Sequence, residues 1–328
     1  MISGPSLRQW LDDPQAQQDS LDRVEACADR WGLHPLMTQL ERELREMKVL
    51  KVDSLLDSAR RFIDRSGDIE ALVRDLIDGS RADPFSRPPF RAISSDIHEA
   101  LLLFHSAPLS IALGVTPVDR LAARKSGRRG STSVGFTGVV SLYRYVRSGD
   151  AAISLWEAPP ITDSFAGAEA GSCRPVGMRR LRDGDELVSD GRRESFVIEH
   201  ARSDIVYFQA VIRADAAPVS VEYDSSTRKF LAATSTDEAS SRVEMMVSLL
   251  RVMDRRDALP MIVELLDSPN FHTRWHVMRE LLAIDSETAL PPLRRMAVSD
   301  PHPEVRAAAA LTLDRFFADH QDAAPCPA

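Results

Sequence analysis

Val139-Val140-Ser141-Leu142-Tyr143-Arg144-Tyr145-Val146 sits between a glycine-rich stretch and a turn, and its pattern repeats every two residues. A period of two sends alternate side chains to opposite faces, which is the signature of a strand. Arg147-Ser148-Gly149-Asp150 supplies turn residues, and Ala152-Ile153-Ser154-Leu155-Trp156 runs back as a second strand. Further strands are predicted over 176–181, 186–189, 195–200, 205–212, 219–223 and 228–233. Asp183-Gly184-Asp185, Asp190-Gly191 and Asp224-Ser225-Ser226 provide turns between them. Seven or eight short strands at this spacing specify an antiparallel sandwich or barrel rather than a parallel βαβ sheet.

The flanks read differently. Ten of the fifteen glycines fall between Gly127 and Gly191, and none occurs in the 137 residues that follow. Such a run suits uninterrupted helix. Residues 5–80 also read as helices: Leu36, Leu40, Leu44 and Met47 recur at three- and four-residue steps, as do Leu55, Ala59 and Phe62. Residues 83–89 hold three prolines and read as a linker. A helix is expected over 95–106, opened by the Ser94-Ser95-Asp96 cap signal. It would place His98 and His105 on roughly one side.

From Ala239 the helical period returns and the sequence repeats. Ala258-Leu259-Pro260 recurs 31 positions on as Ala289-Leu290-Pro291, and Arg274 and Leu281 recur 32 positions on as Arg306 and Leu313. A helix-turn-helix unit cannot bury its apolar face alone, so such units stack. Asp300-Pro301-His302-Pro303-Glu304-Val305-Arg306-Ala307-Ala308-Ala309 resembles the second half of a HEAT repeat. The resemblance implies that the proline opens the second helix, Val305 enters the core and Arg306 faces the adjacent turn. It spans about 60 residues, 257–317, preceded by one more helix over 241–254.

Arg180-Leu181-Arg182-Asp183-Gly184-Asp185-Glu186-Leu187 resembles the tight turn of cupins, the double-stranded β-helix proteins. The resemblance covers about 134–233 and implies a β domain of that fold. Metal-binding cupins use an H-x-H pair, a glutamate and a later histidine, because a divalent ion needs several convergent ligands. This chain departs from that pattern. It has no H-x-H, and Ile161-Thr162-Asp163-Ser164-Phe165 stands where the pair would fall. Together these features predict an α+β multidomain chain. N-terminal helices and a linker (1–90) precede a cupin-like antiparallel β-sandwich or barrel with a leading helix (91–238), HEAT-like repeats (239–320) and a tail (321–328).

No complete catalytic set emerges. Glu199 and His200 are strand neighbours and point to opposite faces. His272, His276 and Glu280 share one helix face, but residue 273 is threonine where a metalloprotease helix has its glutamate. A polar repeat surface flanking Trp275 is favoured over a metal site completed by Asp300 or His302. Gly-x-Ser-x-Gly and a phosphate-binding loop with Lys-Ser/Thr are both absent. The sharpest local signal is Arg124-Lys125-Ser126-Gly127-Arg128-Arg129-Gly130, in a stretch (120–149) with seven basic residues and no acidic one. Read as a loop, it offers Arg124, Lys125, Arg128 and Arg129 to an anionic ligand or acidic peptide. Phe136, Tyr143 and Tyr145 downstream could stack on bases.

The chain has 328 residues, 44% of them apolar and 27% charged, with a net charge of −8. That balance excludes wholesale disorder and disfavours nucleic acid as a partner. No apolar run approaches membrane-spanning length, and the first nine residues do not resemble a signal peptide. The three cysteines, Cys27, Cys173 and Cys326, show no CxxC spacing, which fits a reducing cytoplasm. Arginine outnumbers lysine 37 to 4, a bias of bacterial genome composition. The leading expectation is a cytoplasmic, non-catalytic binding or scaffold protein needing no cofactor. Its barrel would hold a small ligand or peptide, and its repeats a protein partner. One alternative is a cupin-type metal enzyme, oxygenase-like, with ligands drawn from His98, His105, His200 and a carboxylate. Another is a nucleic-acid-binding regulator.

Overall fold

The computed structural model describes residues 7–85, 91–127 and 133–317. Arg128 and Arg129 lie outside them. The chain separates into two compact units. One runs up to Val134 and takes in Val139–Ala158 and Arg174–Ala216. The other comprises Gly135–Gly138, Pro159–Cys173 and the chain from Ala217 onward.

The first unit opens with helices α1 (Leu7–Leu11), α2 (Pro14–Gly32), α3 (Pro35–Glu46), α4 (Val52–Asp64) and α5 (Ser66–Ala82). Starts follow the residue chemistry. Asp13 accepts the backbone N–H groups of Gln15 and Ala16 with Pro14 next in the helix, and His34 Nδ1 accepts from Leu36 N ahead of α3. Along the chain, and across both units, eleven strands follow with one further helix: β1 (Ala92–Ser94), β2 (Glu99–His105), β3 (Leu109–Thr116), α6 (Val118–Gly127), β4 (Ser133–Phe136), β5 (Val140–Arg147), β6 (Ala152–Glu157), β7 (Arg174–Arg180), β8 (Glu186–Asp190), β9 (Glu194–His200), β10 (Ile205–Ile212) and β11 (Val219–Asp224). β12 (Phe230–Ser235) pairs with β11.

Sheet order is β1-β2-β3-β10-β5-β8 in one sheet and β7-β6-β9 in another, and every pairing described in them is antiparallel. Successive strands from β5 to β10 pass repeatedly between these two sheets, which is the jelly-roll arrangement of a double-stranded β-helix. The expected β5–β6 return is therefore not a paired hairpin. The two strands lie in different sheets, and Gly149 (φ +59°) and Asp150 (φ +53°) make the corner between them.

Alternation along β5 serves two cores. Val140 and Leu142 join Leu103, Phe104, Ile111, Phe208, Ala210 and Ile212 against Leu55, Ala59, Phe62 and Ile63 of α4. The N-terminal helices thus roof one face of the larger sheet, and Trp31 Nε1 donates to the Leu103 carbonyl at 3.1 Å. Tyr143 and Tyr145 take the other face, with Tyr207, Phe196, Ile153 and Leu155. Tyr143 meets Phe196 edge-on at 5.1 Å between centroids and accepts from Gln209 Nε2 at 3.0 Å. A Cβ on Gly114 would stand 2.7 Å from the Tyr207 ring, so glycine there lets the ring lie across β3. Aromatic and aliphatic side chains line this inner face of the roll.

Three expectations change. The segment read as a helix over 95–106 is the β1–β2 turn followed by β2. The basic run read as a loop begins on a helix, with Arg124 and Lys125 in the last turn of α6. The strands β1, β2 and β3 were not foreseen at all.

The second unit carries β12-β11-β4 and the helices α7 (Glu238–Val252), α8 (Leu259–Glu264), α9 (Phe271–Ile284), α10 (Ser286–Ser299) and α11 (Pro303–Phe316). Its core joins Val247, Ile262, Val277, Leu281, Leu293, Val305 and Ala309. Pro303 opens α11, Val305 is 2% exposed and Arg306 Nη1 donates to the Asp300 and Pro301 carbonyls at 2.6 and 3.1 Å. One repeat earlier, Arg274 Nη1 does the same to Ser268 and Pro269 at 2.9 and 3.0 Å. The 32-residue period is a period of turn-capping arginines. The repeated Ala-Leu-Pro is less regular: Pro260 starts α8, whereas Pro291 lies inside α10.

Candidate functional site

The histidines singled out for an enzyme do not converge. His98 precedes β2 and His105 ends it, so seven strand residues, about 23 Å at 3.3 Å each, separate them. His98 Nδ1 hydrogen-bonds Ser95 Oγ (2.8 Å) and His105 Nδ1 hydrogen-bonds Ser110 Oγ (2.9 Å). His200 is exposed at the end of β9. Its neighbour Glu199 faces away, accepting from Ser154 Oγ at 2.5 Å and Lys125 Nζ at 3.2 Å. Burial tends to raise the Glu199 carboxyl, but these two donors outweigh it and hold it below its ordinary range. Among the described residues, no group of three or more His, Cys, Asp or Glu side chains is placed to hold a metal ion. Tyrosines and Phe196 line the roll, with burial pushing the Tyr143 and Tyr145 hydroxyls well up, and such a lining does not fit a divalent ion.

The basic segment is partly neutralised by contacts distant in sequence. Arg124 Nη1 pairs with Asp96 Oδ2 at 3.0 Å, and Lys125 Nζ also donates to the Glu199 carbonyl at 2.5 Å. The local absence of acidic residues hid both partners.

His272, His276 and Glu280 do share a face of α9, and that face packs on α7. His272 Nδ1 hydrogen-bonds Glu244 Oε1 at 2.9 Å, and Thr273 Oγ1 donates to the same oxygen at 2.8 Å. His276 Nε2 lies 3.0 Å from Ser248 Oγ, and Glu280 accepts from Ser248 and Arg251. The three side chains share a face, but that face is a contact between two helices rather than the polar repeat surface expected, with Glu280 buried in it. Glu244 is held below its ordinary range because His272 and Thr273 outweigh the effect of burial.

Beside this contact lies a groove of about 520 Å³, walled by Phe165, Phe230, Phe271 and Trp275. Its volume and aromatic walls are those of a binding cleft. Its acids are engaged: Glu244 as above, and Glu304 by the Gly167 backbone N–H at 3.3 Å. Its cation is not. Among the described residues, Arg279 has no acidic partner and the Trp275 indole N–H has no acceptor, although both line the groove. No composition signal marked Arg279, because the groove gathers residues from 165 to 308.

Behind Phe271 the His302 ring stacks flat, 3.8 Å between centroids and 7° between planes. His302 is 6% exposed, and neither ring nitrogen meets a hydrogen-bond partner of ordinary geometry. Burial lowers its pKa, against the opposing pull of Glu304 and Asp300. Asp300 itself receives Arg274 bidentately at 2.8 and 2.7 Å. Those bonds and the His302 N–H overcome burial and hold its carboxyl low.

Residues 227–314 match the family of HEAT repeats. Among solved structures, the chain is similar to ectoine synthase from P. lautus: 13% identity, covering 37% of this chain and 67% of that one, TM-score 0.22. A sugar phosphate isomerase from a cupin superfamily, from Silicibacter pomeroyi, gives 12% identity, 44% and 79% coverage and a TM-score of 0.24. A cupin domain from Bordetella pertussis gives 11%, 37%, 99% and 0.22. The strand order itself defines the roll. No curated protein matches the chain. The molecule is an α+β protein with N-terminal helices, a cupin-like roll and a C-terminal HEAT-like helical stack.

Proposed function

We propose that this is a non-catalytic binding protein whose repeat groove takes an acidic, aromatic-bearing segment of a protein partner. The observation behind this reading is the unequal supply of partners in the groove. Both of its glutamates accept hydrogen bonds from the protein, while Arg279 and the Trp275 N–H have no partner among the described residues. A carboxylate on Arg279 with an apolar side chain among the four aromatic rings satisfies both needs. The basic run Arg124, Lys125, Arg128 and Arg129 is a separate candidate for an anionic ligand or acidic peptide. A bacterial cytoplasm suits the composition, and no helix among the described residues is long and apolar enough to cross a membrane.

Calorimetric titration of the full chain with short Asp/Phe peptides, and with matched Lys/Phe peptides, tests the reading. The acidic set should bind at least tenfold more tightly, and Arg279→Glu should abolish the preference. Equal binding of both sets, or no binding of either, defeats it.

A further inference from the structure

Helix α7 has two apolar faces. Val243, Val247 and Leu250 turn to the core of the second unit. On the opposite side Met245, Met246, Leu249 and Val252, with Met253 just past the helix, are between 55 and 72% exposed. At 100° per residue these five side chains fall on one stripe, which Arg242 and Glu238 extend toward the helix start. The first helix of a repeat stack ordinarily shows water a polar outer surface. This one shows three methionines, a leucine and a valine.

We infer that this stripe is the contact of a two-fold dimer, in which α7 packs antiparallel against α7 of a second copy. The charges around the stripe argue for self-association. Glu238 is paired with Arg242, Arg255 with Asp257 and Arg256 with Asp254. A face whose surrounding charges are already neutralised has nothing with which to select an oppositely charged partner, and it is complementary to itself. Antiparallel packing also opposes the two helix dipoles favourably. An isologous contact doubles every interaction, Met245 meeting the second copy's stripe just as the second copy's Met245 meets this one. Methionine's unbranched chain adapts to such a close repeat of itself.

Area sets the expected strength. The exposed stripe amounts to roughly 600 Å² per copy, hence about 1,200 Å² for the pair, at the lower edge of what stable interfaces bury. The dimer should therefore be reversible, with a dissociation constant in the micromolar range.

Sedimentation equilibrium of the full chain from about 1 to 300 μM is the experiment. The wild-type chain should pass from monomer to dimer across that range. Leu249→Glu combined with Met245→Glu should remain monomeric throughout, with an unchanged circular dichroism spectrum and melting temperature. Leu249→Arg serves as a second variant should the double substitution disturb folding, and it should weaken the dimer at least tenfold. A wild-type chain that stays monomeric to 300 μM overturns the inference. So does a dimer that survives these substitutions in a folded protein.

Discussion

At the scale of single residues, His302 is the clearest titratable site. Its ring is stacked on Phe271 and its pKa is lowered by burial, whereas in the unfolded chain it titrates near its ordinary value of about 6.5. As pH falls through that value the unfolded chain takes up a proton that the folded chain refuses, so stability is lost on acidification. Glu304 and Asp300 pull the other way, Arg274 adds to the effect of burial, and burial stays dominant. Urea midpoints at pH 7.5 and 5.5 should fall more steeply for the wild type than for His302→Phe. Equal slopes would mean the ring is hydrated. Arg128 and Arg129 are tested by a double Glu substitution, which should reduce capture of acidic peptides while leaving the melting temperature within a few degrees. Undiminished capture would return them to the status of a solvated segment. Single residues were the hardest thing to read in sequence. Local charge counting isolated Arg124 and Lys125 as unneutralised, yet Asp96 and Glu199 reach them from 28 and 74 positions away.

At the scale of elements, periodicity served well where one face is buried and the other is not. The strand over 205–212 has its predicted bounds, and Val305 is buried as the HEAT resemblance implied. Val305→Asp would set an unpaired carboxylate among Val277, Leu281 and Leu293, at a cost of about 3 kcal/mol or more. A thermal melt followed by circular dichroism at 222 nm should show that loss in the second unit's helices, and an unaltered melt would contradict the packing described for α11. The failure at 95–106 has a physical reason. Ser95 does accept nearby backbone N–H groups, from Ile97 and His98, but it does so to close the β1–β2 turn. Serine caps turns and helices by the same bond, and the apolar run Ala100–Leu101–Leu102–Leu103–Phe104 suits a covered strand as well as a helix. The helix α6 was missed for the converse reason, since its glycine and arginines read as loop while Asp119 lies in its first turn.

At the scale of the whole molecule, the aromatic and aliphatic lining of the roll gives a direct expectation. Chelator should leave the melting temperature unchanged, and metal analysis of the purified protein should find less than one equivalent of iron, zinc or manganese. A drop of several degrees with chelator would revive the metal-enzyme alternative. The class of fold was legible because turn spacing and the change of period are local properties. The groove was not, because residues from a connecting segment, two strands and three helices build it. One resident of that groove has a further use. Of the four tryptophans, Trp10, Trp31 and Trp156 fall in the first unit and Trp275 alone in the second. A chain with the other three replaced by phenylalanine would glow from a single indole set in the groove wall. Its emission colour and its quenching by iodide would then register occupancy of the cleft optically, without any label attached to the protein or to what enters it.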